Sequence, residues 1–341
     1  MYELLKQNKD LWNLFTSKEE YIPRQLDKYN GITYKNILEP KVSNFLIENG
    51  LVVEYPDNKK FAVCLTHDVD DVYPPLSHTV LSSLYSMKNL NFNELKNQLC
   101  WKYKGKKFSP YWNFKEIIKL EEKYEAKSSF YFIATDRDIR RFRYDIEDLG
   151  QELGSIIDAG WEVGLHGGYY SYNSLEKMKE EKDRLEKVLG EEVIGYRNHY
   201  LMFEVPVTWK LLASAGFKYD TTFGYKNMVG FRNGMCHPFK PFDLNNHEYA
   251  DIIEIPLIIM DGALFASSNS LEAAWEKTKN LIDIVEKSNG VLTLLWHNIV
   301  FNSPFRDSWK KLYMKVLDYS YKKDAWIANG EEILRWWRNE Y

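Results

Sequence analysis

Hydrophobic and polar positions switch abruptly along residues 61–71. An uncharged run from Phe61 to Thr66 ends in His67 and then Asp68, Asp70 and Asp71. Such a run predicts a strand buried on both faces, with the acids where the strand leaves the sheet. Gathering carboxylates there costs self-repulsion, which is tolerated for a cation, a shared proton or a salt bridge. A helix cap followed by acids in the first turn is the alternative reading. Apolar strand-like runs recur at 129–133, 161–165, 193–196, 218–220, 252–259, 291–296 and 325–328, and Pro256 marks a bulge or edge in the sixth. Helical periodicity fills the intervals. One helix ends at Gly160, one runs from near Ser174 to Gly190, and one has Pro206 in its first turn and Gly216 past its end. Others span about 270–287 and 308–322, and a last one reaches the C-terminus.

Seven or eight strands alternating with helices make this an α/β chain with a parallel sheet and helices outside it. Polar residues follow nearly every strand: Asp68 and Asp70, Thr135 and Asp136, His166, Arg197 and His199, Asp220, Asp261, then His297 and Asn298. Groups gathered at the carboxyl ends of many strands point to a (β/α)7–8 barrel. An open sheet would concentrate them at one switch point. No glycine-rich phosphate loop follows the first strand. Residues 1–60 are too sparse in apolar side chains for a core of their own and are expected as an arm packed on the barrel, 61–341. Residues 72–127 form a long insertion, with a polar helix near 90–99, an aromatic cluster around Trp101 and Trp112, and a helix at about 113–125. Excursions of that length at strand ends are typically lids or binding loops.

Composition narrows the function. The hydrophobic share of 45% suffices for a core, and a net charge of -4 offers no basic field for nucleic acid or an anionic membrane. Aromatics at 16% suit either a groove for flat ligand faces such as sugar rings or a heavily aromatic core. Cys64, Cys100 and Cys236 lack metal-like spacing and predict reduced thiols and a cytoplasmic home. The first residues show no signal-peptide pattern, and no run is long enough to span a membrane.

Four of the seven histidines, His67, His166, His199 and His297, lie just past strands at the end that carries Asp68 and Asp70. A lone histidine there is more often structural. Four with two carboxylates form a donor set for zinc or another divalent transition metal, cobalt and nickel included. Such an ion would acidify water and polarise a carbonyl, a second carboxylate could take the proton, and a histidine opposite could protonate the leaving group. Arg197 could hold a catalytic carboxylate by a bidentate pair, or make a structural ion pair elsewhere.

The ordered segments Leu65-Thr66-His67-Asp68-Val69-Asp70, Gly164-Leu165-His166, Gly195-Tyr196-Arg197 and Leu295-Trp296-His297 resemble the motifs of the polysaccharide deacetylases, the NodB-homology proteins of carbohydrate esterase family 4. The resemblance spans roughly 61–330. It implies a distorted (β/α) barrel and metal-dependent hydrolysis of an N-acetyl, sometimes O-acetyl, group on a sugar. By position it implies that Asp68 is the general base, Asp70 and His166 metal ligands, Arg197 the residue orienting the base, and His297 the general acid. Tyr170 stands where the family has a second metal histidine. His199 is the candidate replacement, sharing a face with Arg197 if the strand continues; a substrate hydrogen bond is its other reading. His67, pointing the opposite way from Asp68, is expected to be structural. Asp261 could orient His297 or cap a turn. Tyr170, Trp296, Tyr200 and Arg232 are the candidate substrate contacts, with core packing and a solvated loop as the alternatives for Trp296 and Arg232. The expected activity is hydrolysis of a carbon–nitrogen bond in an acetylated sugar or glycan precursor of bacterial surface-polysaccharide synthesis. Alternatives are a non-sugar amide hydrolase, a glycosidase pairing Asp68 with Glu254 or Asp261, and a glycan-binding module with a degenerate metal site.

Overall fold

The computed structural model describes residues 2–21, 37–136 and 144–340. In chain order its strands are β1 (Phe61–Val69), β2 (Ser129–Ile133), β3 (Glu162–Gly167), β4 (Gly195–Asn198), β5 (Tyr219–Asp220), β6 (Phe242–Asp243), β7 (Glu248–Tyr249), β8 (Ile253–Glu254), β9 (Leu257–Met260), β10 (Val291–Leu295) and β11 (Ala325–Ala328). β6 and β7 form a separate antiparallel hairpin, and the other nine strands form one parallel sheet in the order β8-β5-β4-β3-β2-β1-β10-β9, with β11 on β1. β1 is buried at all of its residues. One edge of it pairs with β10, while the other carries β11 along Phe61–Cys64 and β2 along Thr66–Val69.

The two ends of that strand order, β8 and β9, are neighbours in sequence. Only Ile255 and Pro256 separate them. β8 pairs with β5 and β9 with β10, so one extended segment serves as both margins and brings the sheet round on itself. This is a distorted (β/α) barrel. Proline has no N–H to give either ladder, which is why the single strand expected over 252–259 divides there.

The barrel interior is narrow, and glycine on one strand accommodates tyrosine on the next. Tyr131 is in register with Gly164 and Tyr219 with Gly195. A Cβ at Gly164 would lie 2.5 Å from the Tyr131 ring, and one at Gly195 would lie 2.3 Å from the Tyr219 hydroxyl. The helices end as their sequences predict. Ser174 and Ser270 accept the backbone N–H groups of Lys177 and Ala273, and Gly190 closes its helix at φ +83°.

Leu5, Phe15, Val42 and Leu46 of the N-terminal segment join the same apolar cluster as the barrel residues. Residues 22–36 of that segment lie outside the described residues. In the insertion the polar helix expected near 90–99 is instead two helices, Leu76–Lys88 and Phe92–Lys104, followed by Phe114–Glu121. Asn91 caps the second helix by accepting the Glu94 N–H.

Candidate active site

Alternation along β1 separates two networks. Thr66 and Asp68 face the barrel interior, and Asp70 continues that side just past the strand end. His67 faces outward. Its Nδ1 is 2.6 Å from the Trp296 carbonyl oxygen and its Nε2 is 2.8 Å from Glu121 Oε1. Glu121 also accepts from Ser128 Oγ, Trp161 Nε1 and Tyr313 OH. His67 is therefore a buried structural residue that ties β1 to the helix layer.

On the interior side, Asp70, His166 and His199 each bring one ligand atom within 4.8 Å of the others. His166, on β3, has Nδ1 2.9 Å from the Arg197 carbonyl oxygen. A carbonyl only accepts, so Nδ1 carries a hydrogen and Nε2 is turned into the site, 3.3 Å from Asp70 Oδ1 and 3.6 Å from Asp68 Oδ2. In the neutral ring that places a lone pair opposite a carboxylate oxygen, an arrangement that is attractive only with a proton or cation between them. Asp70 Oδ1 has no hydrogen-bond partner among the described residues. Burial alone would raise the Asp70 pKa, but the neighbouring imidazoles of His166, His199 and His297 hold it far below the carboxylate range. Burial opposes charge on His166, yet Asp68 and Asp70 raise its pKa. The donor set, one carboxylate and two imidazoles with the second His166 nitrogen tied to a carbonyl, fits a divalent transition metal.

His199 arrives by a different route from the one expected. β4 ends at Asn198, and a turn with Tyr200 at φ +58° and Leu201 at φ +49° carries His199 inward. Asn198 braces that turn. Its side-chain amide donates to the His199 carbonyl, its Oδ1 accepts from Tyr196 OH, and its N–H donates to Thr222 Oγ1. Two consecutive left-handed non-glycine residues are a local strain that the bracing maintains. Nε2 of His199 lies 3.9 Å from Asp70 Oδ1.

Asp68 and His297 flank this cluster. His297 Nδ1 is 2.8 Å from Asp261 Oδ1, and its backbone N–H donates to Asp261 Oδ2. Its Nε2 is 3.9 Å from Asp70 Oδ2. Burial would depress the His297 pKa, but Asp261, assisted by Asp70 and Asp68, pushes it up to about 10.

Arg197 corrects the expected bidentate pair. Its Nη1 stays 4.0 Å from Asp68 Oδ1, and neither atom has a hydrogen-bond partner among the described residues. Instead Nε donates to Thr221 Oγ1, Nη2 donates to Thr66 Oγ1, and the guanidinium lies over the Tyr131 ring. Below it a polar column runs down the barrel, from Thr221 through Tyr131 and Tyr219 to Glu162. Sequence reading missed Thr66, Thr221, Tyr131 and Glu162 as a set. Their signal was the period-two spacing of polar residues inside runs read only as buried strands.

The substrate-contact expectations need revision. Trp296 has 0% exposure and packs against Tyr313 and Phe265, so it fills the core. Arg232 is paired with Glu20 through two nitrogens and lies over Phe223, which makes it a link to the N-terminal segment. Tyr170 is turned outward, 49% exposed, under Lys177. Tyr200 does border the cluster, its ring 4.4 Å from that of His199 and 5.8 Å from that of Tyr169. The glycosidase pairings are not available either. Glu254 is fully buried, accepts from Trp209 Nε1, and has its pKa raised by burial and by Asp220; Asp261 is engaged with His297.

No family model and no curated protein matches the sequence. Solved structures do. A candidate polysaccharide deacetylase from Mycobacterium smegmatis aligns at TM-score 0.55 and 19% identity, covering 84% of this chain and 93% of that one. A candidate glycoside hydrolase/deacetylase from Parabacteroides distasonis aligns at TM-score 0.53 and 11% identity, covering 83% and 72%. The chain therefore has the fold of the polysaccharide deacetylases.

Proposed function

We propose that this protein is a metal-dependent deacetylase that hydrolyses an N-acetyl group, with O-acetyl as the alternative, on a sugar or glycan precursor used in surface-polysaccharide synthesis. The observation that carries the reading is the Asp70/His166/His199 cluster flanked by Asp68, whose Oδ1 accepts no hydrogen bond among the described residues, and by one carboxylate-backed histidine, His297. A divalent cation held by the cluster, zinc in our reading, supplies Lewis acidity toward an acyl carbonyl and acidifies water. Asp68 Oδ1, which accepts no hydrogen bond among the described residues and lies 4.0 Å from Arg197 Nη1, takes the water proton. His297, held protonated by Asp261, gives its Nε2 proton to the departing amine. Tyr200 and Tyr169 offer aromatic surface to the sugar beside His199. The free thiols Cys64, Cys100 and Cys236 support a cytoplasmic setting.

The test is acetate release from a panel of N-acetylated and O-acetylated sugars, nucleotide-linked and lipid-linked forms included, by metal-loaded wild type, Asp68→Asn and His297→Ala. Acetate release by wild type that falls at least a hundredfold in each variant supports the assignment. Undiminished release in both variants, or cleavage of a glycosidic bond without acetate, refutes it.

A further inference from the structure

The two helices of the insertion, Leu76–Lys88 and Phe92–Lys104, pack on each other and have their amphipathic faces reversed. Their buried residues are polar: Thr79, Ser82, Ser86 and Gln98. Among their exposed positions, apolar residues recur at helical spacing beside Ser77, Asn93 and Asn97. Leu76, Val80 and Leu84 form one stripe, 71%, 58% and 59% exposed, and Phe92, Leu99 and Tyr103 form the other, 68%, 48% and 94% exposed. Among the described residues, eleven of the seventeen large apolar side chains left exposed lie between Leu76 and Phe108. Packing among the described residues does not account for such a face, which marks a surface awaiting a partner.

The charge around it selects the partner. The chain as a whole carries -4, yet residues 76–108 hold six lysines, no arginine and one acid, Glu94. Lys106 is paired with Asp148, whereas Lys88, Lys96 and Lys104 have no ion-pair partner among the described residues and are exposed. Leucine, valine and phenylalanine bordered by lysine form the chemistry of a surface that lies in a lipid headgroup region. The position is also telling. The insertion leaves the barrel at the carboxyl end of β1, and Asn298, next to His297, donates from its amide nitrogen to the Asp71 and Tyr111 carbonyl oxygens. Gln98, on the buried side of the second helix, donates to the Asn302 carbonyl oxygen. The helix pair that carries the apolar face therefore sits at the same end of the barrel as the candidate site.

We propose that the helices 76–88 and 92–104 dock this protein on an anionic phospholipid bilayer, with the barrel mouth toward the membrane. The low overall charge that argued against a membrane in the sequence is an average, and the fold concentrates the cations next to the apolar face. The proposal does not rest on the deacetylase reading, and its test needs no turnover.

The test is flotation of the full chain with vesicles of phosphatidylcholine alone and of phosphatidylcholine containing phosphatidylglycerol, alongside light scattering of the free protein. Two triple variants accompany it, Leu76→Ser/Val80→Ser/Leu84→Ser and Lys88→Gln/Lys96→Gln/Lys104→Gln. Wild type should float with the anionic vesicles, weakly with the neutral ones, and less as salt is raised. Loss of three lysines should lower partitioning about a hundredfold, from roughly fivefold for each cation near the surface. The serine variant, altered only at exposed positions, should keep its circular dichroism and lose vesicle binding. Equal binding to both vesicle types overturns the proposal, as does undiminished flotation of both variants. A wild-type dimer that the serine variant converts to monomer also overturns it, assigning the face to a second copy of the chain.

Discussion

Glu162 lies at the foot of the polar column beneath Arg197, buried, and accepts from Ser129 Oγ, Tyr219 OH and the Glu331 N–H. Those three donors favour the carboxylate, but burial outweighs them and raises its pKa from 4.5 to about 7. The folded protein therefore binds a proton here that the unfolded chain releases near 4.5. The stabilisation is fully present below that pH and is lost as pH rises through about 7. The gap between those two values corresponds to roughly 3 kcal/mol. Glu162→Gln keeps one of the two acceptor oxygens, the one that serves Ser129 and the Glu331 N–H, and removes the titration, so it shifts stability by a pH-independent amount. Urea unfolding of both proteins across pH 4.5–8 should show wild type losing about 3 kcal/mol more than the variant over that range. Parallel curves, or a variant that loses more than wild type, would refute the assignment of a protonated glutamic acid to the barrel floor.

Other expectations follow from the same geometry. Asp68→Asn and His297→Ala should each cut acetate release by about a hundredfold or more and leave the thermal midpoint within a few degrees of wild type, as separate activity and melting assays would show. Glu121→Ala removes the acceptor shared by His67, Ser128, Trp161 and Tyr313. It should cost about 3–5 kcal/mol in urea unfolding. Thr221→Val strips the acceptor from Arg197 Nε. A loss of about 1–3 kcal/mol is expected, with a drop in turnover as the guanidinium shifts from Asp68.

Much of the fold was legible because strand and helix signals agreed. The acids at the end of β1, the serine caps at Ser174 and Ser270, and Gly190 each sat where local chemistry demands them. The polar residues at strand ends pointed to the end of the barrel where the candidate site lies. His199 was reached by the wrong path, since a left-handed turn at Tyr200 cannot be read from a tyrosine. The neighbours of Arg197 were hidden because Thr66, Tyr131 and Thr221 come from three strands and meet only through the barrel register. Trp296 immediately precedes the candidate acid His297, yet adjacent side chains of an extended segment face opposite ways, and Trp296 joined the core. The reversed helices of the insertion defeated periodicity for another reason. A 3.6-residue pattern gives the apolar face but not the side on which the rest of the protein lies.

The most direct test of the central claim is metal content by mass spectrometry. The samples are wild type, His166→Ala and His199→Ala, each purified without chelator and again after zinc reconstitution. The account predicts near-stoichiometric transition metal in wild type and its loss in both variants. Wild type that takes up no metal after reconstitution, or variants that retain it in full, would contradict the Asp70/His166/His199 centre.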